Sequence, residues 1–358
     1  MLLAIIISAN YLFFLTFARF SGLVSPLGRR LFFTGILSLS LSFIIASLLA
    51  HYYHNFLVVW LYTLSSFWIG WLLYLLAGSA LLWPARFLAD KSGWDFNQPI
   101  VLAVMIILAL TTAAYGVVQA RQIQAKKMDV VIAGLPANWQ GKTIAQISDL
   151  HVGITRGAEF ISRIVDRLNA LKPDLVVITG DFFDGSCPVG FNDFAAPLKR
   201  LAAPYGVYFV TGNHETYTNL DNALAALDAA GVRVLRDEVV KLDGLTIIGA
   251  DYPARSINKD LAPLFKRLQP AEPNILLYHE PRYINEAKQA GIKLQLSGHT
   301  HAGQLWPIRY IDYLIYGRYY YGLHRAGDFS IYTTSGTGFW GPPLRVGTDS
   351  EIAVFRLQ

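Results

Sequence analysis

Five short clusters in the second half of this chain hold most of the side chains that could do chemistry. They are Asp149-Leu150-His151, Gly180-Asp181, Gly212-Asn213-His214-Glu215, His279-Glu280 and Gly298-His299-Thr300-His301. The chain has eight histidines. His51 and His54 lie in the apolar first half, and of the others only His324 falls outside these clusters. A lone histidine is usually structural. Five gathered with Asp149, Asp181 and Asn213 form a set of nitrogen and oxygen ligands without sulfur, which suits manganese, iron, zinc or magnesium. So many side chains exceed the three that a catalytic ion usually takes from its protein. Two divalent ions sharing a carboxylate fit better. Such a pair clamps the attacking and leaving oxygens of an in-line displacement and lowers the pKa of a water between them.

Each cluster directly follows a short apolar run that reads as a β-strand: residues 143–148, 174–179, 206–211, 274–278 and 293–297. Further strands are expected at 129–133, 232–235, 245–249, 329–334 and 351–357. Helices are expected at 159–171, 193–201, 220–230, 259–268 and 282–290. Val- and Ile-rich strands alternating with helices read as an α/β domain with a buried sheet. Ligands of such sheets bind where strands end and loops begin. In Asp149-x-His151 and His299-x-His301, residues i and i+2 reach one locus only where a strand gives way to a turn. The glycines before Asp181, Asn213 and His299 permit tight turns there.

The first half is a different kind of chain. Only 15% of the 358 residues are charged, against about 25% for an average soluble protein. The deficit is local, because residues 1–128 hold eight Lys or Arg and two acids while the remainder is almost balanced. Residues 31–85 contain no Asp, Glu, Lys or Arg. As one helix that run would extend roughly 80 Å, so it must be more than one span. It breaks at His51-Tyr52-Tyr53-His54-Asn55, giving spans near 31–50 and 56–83. Residues 1–18 and 100–120 supply two more. The division expected is a four-span bundle over 1–120, a polar connector over 121–128 and a soluble domain over 129–358. Because Arg19 follows the first apolar run and no basic residue precedes it, that run reads as an uncleaved span rather than a signal peptide.

The basic residues flanking the spans bear on orientation. Loops 19–30 and 84–99 carry three and two basic residues, and Arg121, Lys126 and Lys127 follow the last span. The larger count belongs inside, which sets residues 121–358 outside the cytoplasm. The spans have no ionisable residue beyond the two histidines at the turn, so an anchor is favoured over a channel or transporter. The basic excess flanks apolar segments and does not signal a nucleic-acid partner. The lone Cys187 excludes an intrachain disulfide and a cysteine-based zinc cluster.

In order, the clusters read D-x-H, G-D-x-x-D, G-N-H-E, an isolated H and G-H-x-H. The sequence resembles the calcineurin-like metallophosphoesterases over roughly residues 141–358. Its extended S-G-H-T-H-A-G-Q block and its four N-terminal spans resemble a membrane-anchored bacterial branch. The resemblance implies a four-layer α/β/β/α sandwich. It implies one metal on Asp149, His151 and His301, and a second on Asn213, His279 and His299. Asp181 would bridge both, and His214 would protonate the leaving oxygen. Asp184, Glu215 and Thr300 would orient ligands.

Residues 305–325 interleave seven aromatic rings with Arg309, Arg318 and Arg325. They read either as a packed tyrosine loop or as a surface that meets lipid headgroups. With an anchor in the same chain, a lipid-linked phosphate or pyrophosphate is the expected substrate. Similar enzymes cleave UDP-diacylglucosamine, which needs a cytoplasmic site, or phospholipid head groups. A soluble-substrate phosphodiesterase, a phosphoprotein phosphatase and a non-catalytic metal-binding sensor are the alternatives. Gly336, Gly338, Gly341, Pro342 and Pro343 form a stiff turn near Arg345. That arginine would bind a phosphate oxygen or pair with Glu351.

Overall fold

The computed structural model describes residues 2–22, 25–95, 97–185, 190–253, 258–269 and 272–358, so Cys187 lies outside the described residues. Contacts divide the chain into two units: Met1–Gln119 with Gly341–Val346, and Ala120–Trp340 with Gly347–Gln358.

The first unit is four helices: α1 (Leu2–Phe20), α2 (Pro26–Ala50), α3 (Phe56–Ser92) and α4 (Gln98–Ala120). All four are long and apolar enough to cross a membrane. The polar break does specific work, because Asn55 caps α3 by accepting from the Val58 N–H at 3.1 Å. With 37 residues, α3 runs about 55 Å. It outlasts the apolar run into a polar end, where Arg86 pairs with Asp90. One buried polar cluster is satisfied across helices: Asn10 and Trp68 both donate to Ser40 Oγ, at 2.9 and 2.8 Å.

In the second unit, one six-stranded sheet combines β1 (Ile123–Val130), β2 (Thr143–Ile147), β3 (Leu175–Thr179), β4 (Val207–Val210), β5 (Arg233–Val234) and β12 (Ser350–Leu357), in the order β1-β12-β2-β3-β4-β5. The other combines β6 (Glu238–Leu242), β7 (Leu245–Gly249), β8 (Asn274–Leu277), β9 (Leu294–Ser297), β10 (Gly322–Ala326) and β11 (Phe329–Thr333), in the order β10-β11-β9-β8-β7-β6. The period-2 alternation of apolar residues sorts these strands into layers. Leu175 and Val177 of β3 join Ile275 and Leu277 of β8 in a core between the sheets. Val176 and Ile178 face instead α5 (Ala158–Leu171) and α7 (Leu220–Ala229). Leu276 faces α9 (Ile284–Gln289) on the far side. The layering is therefore helix, sheet, sheet, helix, as the resemblance implies.

Strands β2, β3, β4 and β5 run parallel, as do β7, β8, β9 and β11. Parallel neighbours end on the same edge, which gathers the loops after β2, β3, β4, β8 and β9.

Several expectations change. The polar connector 121–128 is largely strand β1, paired with β12 in parallel from Ile123↔Ser350 to Val130↔Leu357. Its Gln, Lys and Asp side chains suit an exposed edge strand, and that polarity disguised it. Strands β6 and β10 and helix α10 (Arg309–Tyr316) were not expected. The helix expected at 259–268 shortens to α8 (Ala262–Phe265). That at 193–201 becomes α6 (Phe191–Ala195) and a 3-10 turn, Ala196–Arg200.

Candidate metal centre

Five of the seven expected ligands, Asp149, His151, Asp181, His299 and His301, have left-handed backbone, with φ between 48° and 75°. Such conformations cost non-glycine residues of order 1–3 kcal/mol each and persist where the surroundings force them. Here they do what an extended strand cannot, turning residues i and i+2 toward one point. Close packing reinforces the turns. A Cβ on Gly212 would strike the Asp181 carboxylate, and one on Gly298 would strike Ser148 and Asp149, so both positions require glycine.

Two ligand groups result, Asp149 with His151 and His301, and Asp181 with His279 and His299. In the first, His151 Nε2 lies 3.1 Å from His301 Nε2, and Asp149 Oδ1 lies 3.6 Å from that same His301 nitrogen. In the second, His299 Nδ1 lies 2.9 Å from Asn213 Oδ1 and 3.2 Å from His279 Nε2. Asp181 Oδ2 faces both groups, 3.2 Å from His279 Nε2 and 3.8 Å from His151 Nε2. Its other oxygen accepts the backbone N–H of His214 at 2.9 Å.

The orientation of the imidazoles is fixed from behind. His279 Nδ1 donates to the Thr179 carbonyl at 2.7 Å, which leaves the Nε2 lone pair directed into the centre. His299 Nε2 lies 3.3 Å from Glu280 Oε1, which leaves its Nδ1 facing Asn213 and His279. Glu280 is in turn held by Arg282 at 2.9 Å and by the Tyr316 hydroxyl at 3.3 Å. Glu215 is fully buried and accepts three backbone N–H groups, from Asp181, Phe183 and Gly212, at 2.8–3.0 Å. It staples the loop after β3 to the loop after β4. Thr300 donates to the Tyr320 carbonyl and accepts from the Ala302 N–H, bracing the turn that carries His301.

The charge balance calls for cations. Burial pushes the Asp149 carboxyl up to about 6. Burial would also raise Asp181, but His279, His214 and His151 hold it well below the usual carboxylate range. Burial lowers His151 far below its ordinary value and His299 to about 3, so both rings are neutral, as ligands must be. For His279, burial is outweighed by Asp181, which drives the ring up to about 10. A field that favours protonation there equally favours a divalent ion. Buried carboxylates with converging imidazoles fit such ions well.

His214 is placed differently. Its Nδ1 lies 3.3 Å from Asp184 Oδ1. Its ring packs edge-on against His151, with centroids 4.5 Å apart. His151, Asp184 and His214 form a third grouping of ligand-type atoms. Burial would lower the His214 pKa, but Asp181 and then Asp184 raise it to about 9.

Two supporting residues have no role assigned from the sequence. Arg156 donates to the carbonyls of Leu150 and His151 at 3.0 Å, holding the Asp149–His151 turn from behind, and stacks on Phe339 with its guanidinium 3.6 Å from the ring centre. The other is Glu280, whose adjacency to His279 was the available signal. Arg345 is fully buried and belongs to Gly341–Val346 of the helical unit, where its backbone N–H donates to the Gly116 carbonyl at 2.9 Å. Glu351, its other expected partner, accepts from Tyr332, Thr334 and Tyr321.

A family model described as calcineurin-like phosphoesterase matches residues 142–303. An uncharacterized metallophosphoesterase of Helicobacter pylori is 38% identical over 60% of this chain and 59% of its own length. A bovine "transmembrane protein with metallophosphoesterase domain" is 34% identical over 72% of this chain and 62% of its own. An uncharacterized metallophosphoesterase of Aquifex aeolicus is 30% identical over 71% of this chain and 98% of its own. The chain thus spans about 60% of the length of the Helicobacter and bovine relatives.

Proposed function

This chain belongs to the calcineurin-like metallophosphoesterase family, and on that premise we propose that it is a membrane-anchored, dinuclear-metal-dependent hydrolase of lipid-linked phosphate esters or pyrophosphates. One observation carries the reaction: a single carboxylate oxygen of Asp181 faces both ligand groups. Asp149, His151 and His301 would hold one ion, Asn213, His279 and His299 the other, and Asp181 would serve both. The two ions, when bound, neutralise phosphate oxygens and acidify water. Manganese is the metal proposed, with iron, zinc and magnesium as alternatives for the same ligands.

The chain itself supplies the proton. With Asp184 beside Nδ1, the His214 Nε2 is the atom that delivers a proton to the leaving oxygen, a contribution of about 10²–10⁴-fold. Asp184 orients that ring, and Glu215 fixes the two loops whose residues must meet.

Four candidate spans in the same chain support a substrate held at a membrane. The flanking charges support an extracytoplasmic catalytic domain, and hence a phospholipid head group rather than a cytoplasmic sugar-nucleotide lipid. A reporter fused at Gln358 that is active only in the cytoplasm would overturn that side.

The decisive test uses the full chain in nanodiscs, stripped with chelator and reloaded with each metal. Phospholipid esters, nucleotide diesters and phosphopeptides are then compared. Faster turnover of the lipid esters is expected. Preference for soluble substrates would instead favour a phosphodiesterase or phosphoprotein phosphatase. No turnover with any metal would favour a sensor.

A further inference from the structure

Among the described residues of the catalytic unit, the large apolar side chains left exposed are few and mostly adjacent. Six lie within residues 306–315, Tyr217 and Trp340 flank His214, and Val131 stands apart. The cluster centres on α10, where Ile311 is 56% exposed, Leu314 82% and Ile315 59%.

Helix α10 is amphipathic in the inverted sense. A surface helix of a globular protein turns its apolar stripe inward. Here Arg309, Asp312 and Tyr316, at i, i+3 and i+7, form the partly covered face. Arg309 donates to the Tyr320 hydroxyl at 2.7 Å, and Tyr316 to Glu280. Asp312 is partly covered, and burial pushes its carboxyl up to about 6. The polar side chains hold the helix to the protein, and the apolar ones face out. Through Glu280 the helix is two polar contacts from the expected ligand His299, Tyr316 to Glu280 and Glu280 to His299.

Chain connectivity limits how far this face lies from a bilayer. Tyr320, which packs on Tyr313 of α10, is followed by Tyr321, whose hydroxyl lies 3.1 Å from Lys126 Nζ. Lys126 is six residues past the end of α4, at most about 20 Å along an extended chain. Arg309 and Arg318 supply cations beside the apolar face, and Trp306, Tyr310 and Tyr313 are side chains that favour the headgroup zone.

We propose that α10 is an interfacial helix, laying Ile311, Leu314 and Ile315 into the headgroup–acyl boundary of the bilayer that carries the spans. It holds the metal centre at the lipid surface. The inference goes beyond the hydrolase reading, since such a helix would serve any ester presented by a bilayer, and its main test needs no turnover.

The full chain carrying Cys187→Ser and Leu314→Cys is labelled with a polarity-sensitive dye in phosphatidylethanolamine–phosphatidylglycerol nanodiscs. The control dye sits at Asp221→Cys on exposed α7. The Leu314 dye should emit at shorter wavelength than the control and be quenched by spin-labelled lipid. Quenching no greater than at Asp221 overturns the proposal, as does a shift without lipid quenching, the sign of a protein partner or a second copy. In a second arm, Ile311→Asp with Leu314→Asp should leave hydrolysis of bis-p-nitrophenyl phosphate unchanged. It should slow a lipid-borne ester by about tenfold or more, the partition of one buried leucine. Equal turnover of that ester by both proteins overturns docking. If the parent hydrolyses no lipid ester, the substrate reading fails alone, and the dye still decides docking.

Discussion

Asp149, His151 and His301 are almost sealed, with side chains 0, 1 and 10% exposed, whereas His299 of the other ligand group is 25% exposed. Their supports differ as well. The sealed group rests on main chain: all three residues have left-handed backbone, and Arg156 grips the carbonyls between them. The open group shares left-handed backbone at Asp181 and His299 but adds side-chain support, with Glu280 behind His299 and Asn213 facing both imidazoles. A ligand aimed by backbone strain is hard to retune, because the whole turn must change. One aimed by a neighbouring carboxylate can be retuned by a single substitution. The sealed group therefore suits a permanently held ion, and the open group an ion that meets substrate and exchanges more readily.

The largest effect should come from erasing the distinction. Asp181→Ala removes the oxygen common to both groups and should lose both ions and about 10³-fold or more in turnover. Metal analysis beside p-nitrophenyl phosphate hydrolysis checks this. Normal activity would refute the bridging role. His214→Ala should instead keep both ions while turnover falls about 10²–10⁴-fold, so the same pair of measurements separates proton donor from ligand.

Two milder substitutions sharpen the comparison by touching one half each. Glu280→Gln weakens the hydrogen bond behind His299 and should cost one ion about 10–100-fold in affinity. The other ion should be unaffected. Arg156→Lys keeps the charge but loses the fork on Leu150 and His151, and should destabilise the folded unit by about 1–3 kcal/mol. Its effect on metal affinity should be the smaller of the two, since backbone still aims the sealed ligands. Metal titration and thermal unfolding distinguish the two. Equal losses of affinity would dissolve the proposed asymmetry.

Residue type alone made much of this legible. Charge-free runs announce membrane helices because charge is costly in lipid, and histidines placed directly after apolar strands announce a metal site because few other roles need that pattern. What stayed hidden depended on context. Strand β1 reads as a polar connector because an edge strand needs little apolar content. Helix α10 was read as an aromatic stretch, since eight residues carry little periodic signal and their apolar face points away from the core. Arg156 binds carbonyls, which every residue offers, so nothing in the sequence marked its partners.

The smallest effect concerns the ring set beside the sealed group. In the folded protein Asp181 and Asp184 raise the His214 pKa against the opposing effect of burial, to about 9. A raised histidine is protonated below that value, so it can act as an acid at neutral pH. Its contribution to stability is likewise present at low pH and lost as pH rises through about 9. In the metal-loaded enzyme the cations offset Asp181, so the alkaline limb of kcat/KM on a soluble ester should report loss of this proton at a pH below that of the metal-free protein. Asp184→Asn removes one of the three carboxylates that raise the His214 pKa and leaves Asp181 and Glu215, so the limb should move to lower pH while the maximum rate and the metal content change little. A limb that stays in place, or moves to higher pH, would mean that another group donates the proton. His214 would then belong with the ligands, which would make the sealed side of the centre a three-histidine site.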